Sequence, residues 1–391
     1  MLKVALGQSK MLSKPISGVL HLIVYIGFII INIELLEIIF DGLLGTHRLF
    51  APYLGSFYNF LIGSFEILAA FVIFSVIFFW TRRNLIKIRR FWGSEMSGWP
   101  KRDADIILYF EIILMFLFLS MNSTDLLLQN LEAPNYLKAG SFPISQFLTP
   151  LFNSFTQDTL IIFERTFWWL HIIGILIFLN YLYYSKHLHI LLAFPNTFFA
   201  NLDLKGKFNN NKMVYREVKQ MLEPNSDPYL TNDNNPDQSK FGVSDVLDLN
   251  WIQLMNSYSC TECGRCTAEC PANQTGKLLS PRKIMMDTRD RLEEVGRNIR
   301  LNGSFKDDGN ELLDNYITKE EIWACTSCNA CVEACPIGID PLSIIMEMRQ
   351  YLVLEQSSAP SDLNNMMNNI ENNGAPWPFN NQDRLLWAED N

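Results

Sequence analysis

The chain has 391 residues, 49% of them hydrophobic and 19% charged, with a formal net charge of −9. That balance fits no nucleic-acid role, which calls for a basic surface. The chemically distinctive residues are segregated, with all five histidines between positions 21 and 189 and all eight cysteines between 260 and 335.

In chain order, the first half reads as a membrane protein. Ile16 to Phe40, Leu54 to Trp80, Asp105 to Leu128 and Thr159 to Tyr184 are mostly apolar and each at least 24 residues long. As helices they are long enough to cross a bilayer core of about 30 Å. They predict four spans in an all-α bundle of about four to five. Gln129 to Asp158 is interrupted by Pro134, Pro143 and Pro150. His187 to Ala200 is short and carries Pro195, so it is expected to lie at the interface. No cleavable signal layout precedes the first span, which reads as a retained anchor.

Basic residues set the expected orientation. Lys3, Lys10 and Lys14 precede the first span, and Arg82, Arg83, Lys87, Arg89, Arg90, Lys101 and Arg102 follow the second. Only Lys138 lies between the third and the fourth. The N-terminus, the basic loop and everything after the fourth span are therefore expected in the cytoplasm.

The histidines His21, His47, His171, His187 and His189 all fall in this half. Polar groups at membrane depth are costly and usually have a partner. His171 and His189 are 18 residues apart, which on one continuous helix puts them on one face about 27 Å apart. The expected pairs are His21 with His189 and His47 with His171, at two depths, suited to two b-type haems. His187 is an alternative to His189. Taken singly, each histidine reads equally as an interfacial residue bonded to a carbonyl or a lipid headgroup. Glu34, Glu37, Glu66, Glu111 and Asp125 also lie in or at the spans. They are candidates for quinol protons or for pairing with haem propionates and arginines, or they pair with one another.

Lys205 to Asn250 is polar and Asn-rich and reads as a linker with one short helix around Tyr215 to Leu222. Helices are expected over Ser244 to Ser257, over Pro281 to Arg300 with Ser280 as N-cap, over Ile317 to Trp323 with Thr318 as cap, and over Pro341 to Leu354. The tail from Ser357 is expected to be extended. The predicted domains are 1–204 in the membrane, 205–240 as linker, 241–356 as a mostly helical cluster domain and 357–391 as a docking tail.

Cys260, Cys263, Cys266, Cys270 and Pro271 form one Cys-x2-Cys-x2-Cys-x3-Cys-Pro run, and Cys325, Cys328, Cys331, Cys335 and Pro336 form a second. This spacing suits two [4Fe–4S] clusters, since three close thiolates wrap one cubane and the cysteine before proline reaches the other. The crossed assignment gives Cys260, Cys263, Cys266 and Cys335 to one cluster and Cys325, Cys328, Cys331 and Cys270 to the other. Structural zinc takes two separated pairs rather than a run of four. Disulfides would need an oxidising compartment.

Two stretches carry a family resemblance. Cys260-Thr-Glu-Cys-Gly-Arg-Cys266 followed by Thr275-Gly-Lys-Leu-Leu-Ser-Pro-Arg-Lys283, and Trp323-Ala-Cys-Thr-Ser-Cys-Asn-Ala-Cys-Val-Glu-Ala-Cys-Pro336, resemble the dicluster domain of membrane-bound heterodisulfide-reductase-like iron–sulfur oxidoreductases. That group includes enzymes linking electron-transfer flavoprotein to menaquinone. The first half resembles, more loosely, the dihaem b γ subunit of nitrate reductase, through His171 and the ending Ser185-Lys186-His187-Leu188-His189. That family keeps its other two haem ligands closer together on one helix than His21 and His47 are. One-chain relatives continue into Cys-Cys-Gly repeats, and no Cys-Cys-Gly occurs in this sequence. The resemblance thus implies a separate Cys-Cys-Gly iron–sulfur subunit, an electron-transfer flavoprotein, or both as partners. It further implies menaquinone as the quinone and a bacterial inner membrane as the location.

The expected function is an electron-transfer subunit that relays electrons between such a partner and the quinone pool, with the cofactors doing the chemistry. The competing expectations are a membrane-tethered redox sensor or adapter and a haem-free ferredoxin anchor.

Overall fold

The computed structural model describes residues 1–204, 206–208, 212–222 and 240–389. They divide into two compact units, Met1–Phe198 with Tyr258–Gly264, and Phe199–Ser257 with the chain from Arg265 onwards. The runs Asn209 to Asn211 and Asn232 to Asp237 of the expected linker lie outside the described residues.

The first unit is built on four helices long and apolar enough to cross a membrane. They are α1 (Pro15–Leu44), α2 (Ser56–Trp80), α3 (Trp99–Asn130) and α4 (Gln157–Leu182). A wide turn over Thr81–Leu85 extends α2. Each helix packs chiefly on its neighbours in sequence, most extensively α3 on α4. Lipid-length helices leave large apolar side chains such as Phe60, Phe74 and Ile162 exposed. Their inward faces close on a core of Tyr58, Ile62, Phe65, Ala69 and Phe118. Close approach has one visible requirement: a Cβ on Gly42 of α1 would sit 2.6 Å from the Trp168 ring of α4.

Helix α4 is shorter than the sequence suggests. It ends at Leu182, and Ser185 starts a separate turn by accepting a hydrogen bond from the His187 N–H. His189 then opens a new helix, α5 (His189–Phe198), which includes Pro195. His171 and His189 therefore do not share a face of one helix. The serine hydroxyl competes for backbone donors and breaks the register between them.

In the second unit, α6 (Lys212–Leu222) covers the expected linker helix. The stretch Ser244 to Ser257 divides into a turn at Val246–Asp248 and helix α7 (Trp251–Ser259), because Asp245 and Asp248 cap each other's backbone in a capping box. Helix α8 (Pro281–Asn302) starts as expected, with Ser280 Oγ accepting from the Lys283 N–H. Helix α9 (Lys319–Ala324) has the Thr318 cap in a capping box with Glu321, and α10 spans Pro341–Leu354. Gly242, at φ +76°, lets the chain lie on α10, where a Cβ would meet the Glu347 carbonyl oxygen at 2.3 Å.

The tail is not extended throughout. Ser361–Asn373 forms α11, closed by Gly374 in the left-handed region. Leu363, Met366, Met367 and Ile370 carry the helical i, i+3, i+4, i+7 spacing within an Asn-rich segment whose composition suggests a loop.

Arg291 ties the second unit together. Its guanidinium is fully buried and donates to Asp245 at 2.9 and 3.0 Å, to Asp308 at 2.7 and 2.9 Å, and to the Asn310 carbonyl at 2.5 Å. Arg291→Leu leaves Asp245 without its cation and is expected to destabilise the protein by about 3 kcal/mol. Thermal unfolding of the detergent-solubilised chain checks this, and the Arg291→Leu, Asp245→Leu double variant is expected to recover part of the loss.

Candidate functional site

All eight cysteines are free thiols. Both motifs fold their loops the same way. The residue before the second cysteine is left-handed in each, Glu262 at φ 55° and Ser327 at φ 56°. So is the residue after it, Gly264 at φ 70° and Asn329 at φ 61°. Left-handed residues alternating with ordinary ones turn successive N–H groups to one side, a concavity that receives anions or the sulfurs of a cluster. In the second loop the Ser327 N–H already donates to Cys325 Sγ at 3.4 Å. The short helices that follow, Arg265–Ala268 and Ala330–Ala334, pack on each other.

Cys270 lies with the second motif. Burial raises the Cys325 thiol and pushes that of Cys331 up to about 12, and the charge of Cys270 adds to both. Arg349 holds the entry to the loop, donating to the Ile322 carbonyl at 2.8 Å and to that of Cys325, with its guanidinium 5.0 Å from the Trp323 ring centre. Among the described residues, no group of three or more His, Cys, Asp or Glu is close enough to hold a single metal ion.

The first loop is tied to the helical unit it belongs to. Glu262 is buried and pairs with Lys186 Nζ. Lys186 also donates through Nζ to the Pro100 carbonyl at 2.7 Å and through its backbone to Asp103 at 3.0 Å. Burial lowers the Lys186 ammonium, and Glu262 opposes that shift. Neither Lys186 nor Glu262 stands out in the sequence, because only the fold makes them neighbours.

Beside Lys186, imidazoles gather. The rings of His187 and His189 are 5.5 Å apart, and His187 is close enough to His21 to feel its charge. Burial pushes His187 down to about 3 and lowers His189, so both are neutral, the form that binds a metal. His189 Nδ1 is 3.0 Å from the Lys186 carbonyl oxygen, a bond that fixes the orientation of the ring. His171 has the same arrangement, with Nδ1 3.0 Å from the Leu114 carbonyl oxygen on α3.

The structure does not bring His47 to His171. His47 Nε2 lies 3.1 Å from Asp125 Oδ1. Asp125 is eleven residues beyond Leu114 on α3, a rise of about 16 Å. His47 belongs instead to a polar network around Arg48, whose role the sequence did not signal. The buried guanidinium donates to Asp125 at 2.8 Å, to Asn122 at 2.8 Å and to Glu34 at 3.3 Å. The acids Glu34, Glu37, Glu66 and Asp125 are all buried, and Tyr58 OH donates to Glu37 at 2.7 Å. Glu66 accepts from the Asn122 amide at 3.2 Å and from the N–H groups of Ile144 and Ser145. Glu111 is apart from these, 3.8 Å from His187.

Comparison with known proteins agrees with the cysteine loops. A family described as 4Fe-4S dicluster domain matches residues 259–339. A "Probable iron-sulfur-binding oxidoreductase FadF" of Bacillus subtilis is 28% identical over 98% of this chain and 54% of its own length. An "EtfAB:quinone oxidoreductase" of Syntrophomonas wolfei is 26% identical over 98% of this chain and 52% of its own. A "Probable membrane-anchored ferredoxin" of Chromohalobacter salexigens is 33% identical over 38% of this chain and 24% of its own. The chain thus spans about half the length of the first two relatives. No solved structure matches it. Its relatives are iron–sulfur oxidoreductases, and it joins a dicluster domain to four helices of membrane length.

The left-handed residue Asn329 provides a test of the loop geometry. Asn329→Gly is expected to leave iron content and thermal stability unchanged. Asn329→Val, β-branched at positive φ, is expected to cost about 1–2 kcal/mol and to lower the iron-to-protein ratio.

Proposed function

We propose that this chain is a membrane-bound electron-transfer subunit that passes electrons between a redox partner and the quinone pool. Cys260, Cys263, Cys266 and Cys335 hold one [4Fe–4S] cluster, and Cys325, Cys328, Cys331 and Cys270 hold the other. The basic end of the bundle and the cysteine loops face the cytoplasm of a bacterial inner membrane. The observation that carries the reading is the Lys186–Glu262 pair, which fastens the first cysteine loop to the segment bearing His187 and His189. A cluster in that loop has its exit beside those imidazoles.

His21 and His189 are the residues that would hold a b-type haem at this end, with His187 beside His189. The Nδ1 bond of His189 and the burial of the rings support it. A haem held there adds one-electron chemistry between cluster and quinone. His171, with Nδ1 fixed by Leu114, is the candidate ligand for a second haem, and His47 is assigned to Asp125 instead. The protein's own contribution is to keep these rings neutral, to orient them through carbonyls and to exclude water.

The partner class follows the relatives. One of them is named an EtfAB:quinone oxidoreductase, which supports a flavoprotein donor and a quinone acceptor; a Cys-Cys-Gly iron–sulfur subunit as intermediary and menaquinone as the quinone follow from the family resemblance. The similarity to a membrane-anchored ferredoxin favours a second reading, a haem-free anchor for the dicluster domain.

Dithionite-reduced minus oxidised spectra of the purified protein, with a pyridine haemochrome assay and iron analysis, separate the two readings. The electron-transfer reading expects about eight cluster irons per chain together with a b-type haem signal that His189→Ala diminishes. Cluster iron with no haem selects the anchor. Cys270→Ser is expected to alter the electron paramagnetic resonance signal of the cluster held by Cys325, Cys328 and Cys331 and to leave the other. The opposite pattern rejects crossed ligation.

A further inference from the structure

The second cysteine loop is met by a cation that no acid neutralises. Helix α10 packs on α9, whose C-cap is Cys325, and on the short helix Ala330–Ala334 that carries Cys331. From α10 the partly buried Arg349 reaches the end of α9. It donates to the Ile322 carbonyl at 2.8 and 3.1 Å, to the Trp323 carbonyl at 3.5 Å and to the Cys325 carbonyl. It also donates to Ser327 Oγ at 3.3 Å, in the residue whose N–H meets Cys325 Sγ at 3.4 Å. The guanidinium lies over the Trp323 ring.

Part of this is capping. The last carbonyls of a helix have no intrahelical donor, and a guanidinium supplies several. Capping needs donors rather than a charge, and here the charge is left over. Every partner of Arg349 among the described residues is neutral: three carbonyls, a hydroxyl and an indole. Elsewhere in the same unit cations are met by carboxylates, Arg291 by Asp245 and Asp308, and Lys283 by Asp287 and Glu321. Asp340, whose charge bears on Cys331, instead caps α10, accepting from the Ser343 N–H at 3.0 Å. The anion that bears on Arg349 is Cys325 itself, and the bond to its carbonyl holds the guanidinium one residue's width from its sulfur.

We propose that Arg349 sets the reduction potential of the cluster held by Cys325, Cys328, Cys331 and Cys270. This rests on the reading that these cysteines hold a cubane, and deepens it. A cubane with four thiolates is an anion, and each electron it accepts adds one negative charge. A fixed cation beside a ligating residue stabilises the reduced state more than the oxidised one and so raises the potential. One electron enters, from the redox partner or from dithionite. No bond is made or broken and no proton moves. Arg349 stays charged throughout, because a guanidinium does not deprotonate in proteins. It acts on the cluster through Cys325 and is a positioning residue, not a ligand.

The test is an anaerobic redox titration of the full chain in detergent, followed by electron paramagnetic resonance, with Arg349→Gln and Arg349→Lys. The first variant keeps a donor for the carbonyls and removes the charge, and the second keeps the charge and loses the fork. Cys328→Ser identifies the signal of the cluster concerned. Arg349→Gln is expected to lower the midpoint of that cluster alone. The expected shift is about tenfold in the ratio of reduced to oxidised cluster at a fixed potential, or about 59 mV for one electron. Arg349→Lys is expected to stay near the wild type. Both variants are expected to keep about eight irons per chain and the wild-type unfolding temperature. An unchanged midpoint in Arg349→Gln overturns the proposal. So does an equal shift in both variants or a loss of iron from either, which makes Arg349 a cap for α9 and no more. A shift shared by both clusters also overturns it. Wild-type protein without cluster iron rejects the cluster reading itself, and the proposal with it.

Discussion

One guanidinium organises the membrane-length unit. A bilayer offers no water to a buried polar group, so every charge brought into the bundle has to find its partner there. Arg48 reaches Glu34 on α1, Tyr58 on α2, and Asn122 and Asp125 on α3. Through His47 and Tyr136 the same network touches Glu164 on α4. The apolar faces of these helices could pack in several registers, since hydrophobic contact has little direction. The ion pairs have direction, and they tie the helix ends to one arrangement.

The opposite end is organised by a cation of another kind. Lys186 is buried by Pro100, Asp103 and Glu262 and brings the first cysteine loop to a cluster of neutral histidines. The unit therefore has one end where imidazoles gather beside the first cysteine loop and another where buried acids gather around Arg48.

Much of this was legible beforehand. Hydropathy placed four helices to within six residues at each end, because runs so long and apolar have the length and composition that crossing a bilayer requires. The caps at Ser280 and Thr318 were readable because capping is a local contest over backbone N–H groups. Other features were hidden for equally physical reasons. The break after Leu182 depends on one serine hydroxyl competing with the helix. Helix α11 has its apolar spacing diluted by asparagine. The polar run of residues 120–125 vanishes in the average hydropathy of its span.

The sequence by itself determined the chemistry, eight thiolates spaced for two clusters and four helices for a bilayer, because ligand spacing and span length are properties of the chain. Only the tertiary structure decided the partners. It joined His47 to Asp125 rather than His171, set Cys270 beside Cys325 and Cys331, and brought Lys186 to Glu262. Each of these joins residues on different elements, and such proximity is fixed by how helices pack and loops close, which no local pattern encodes.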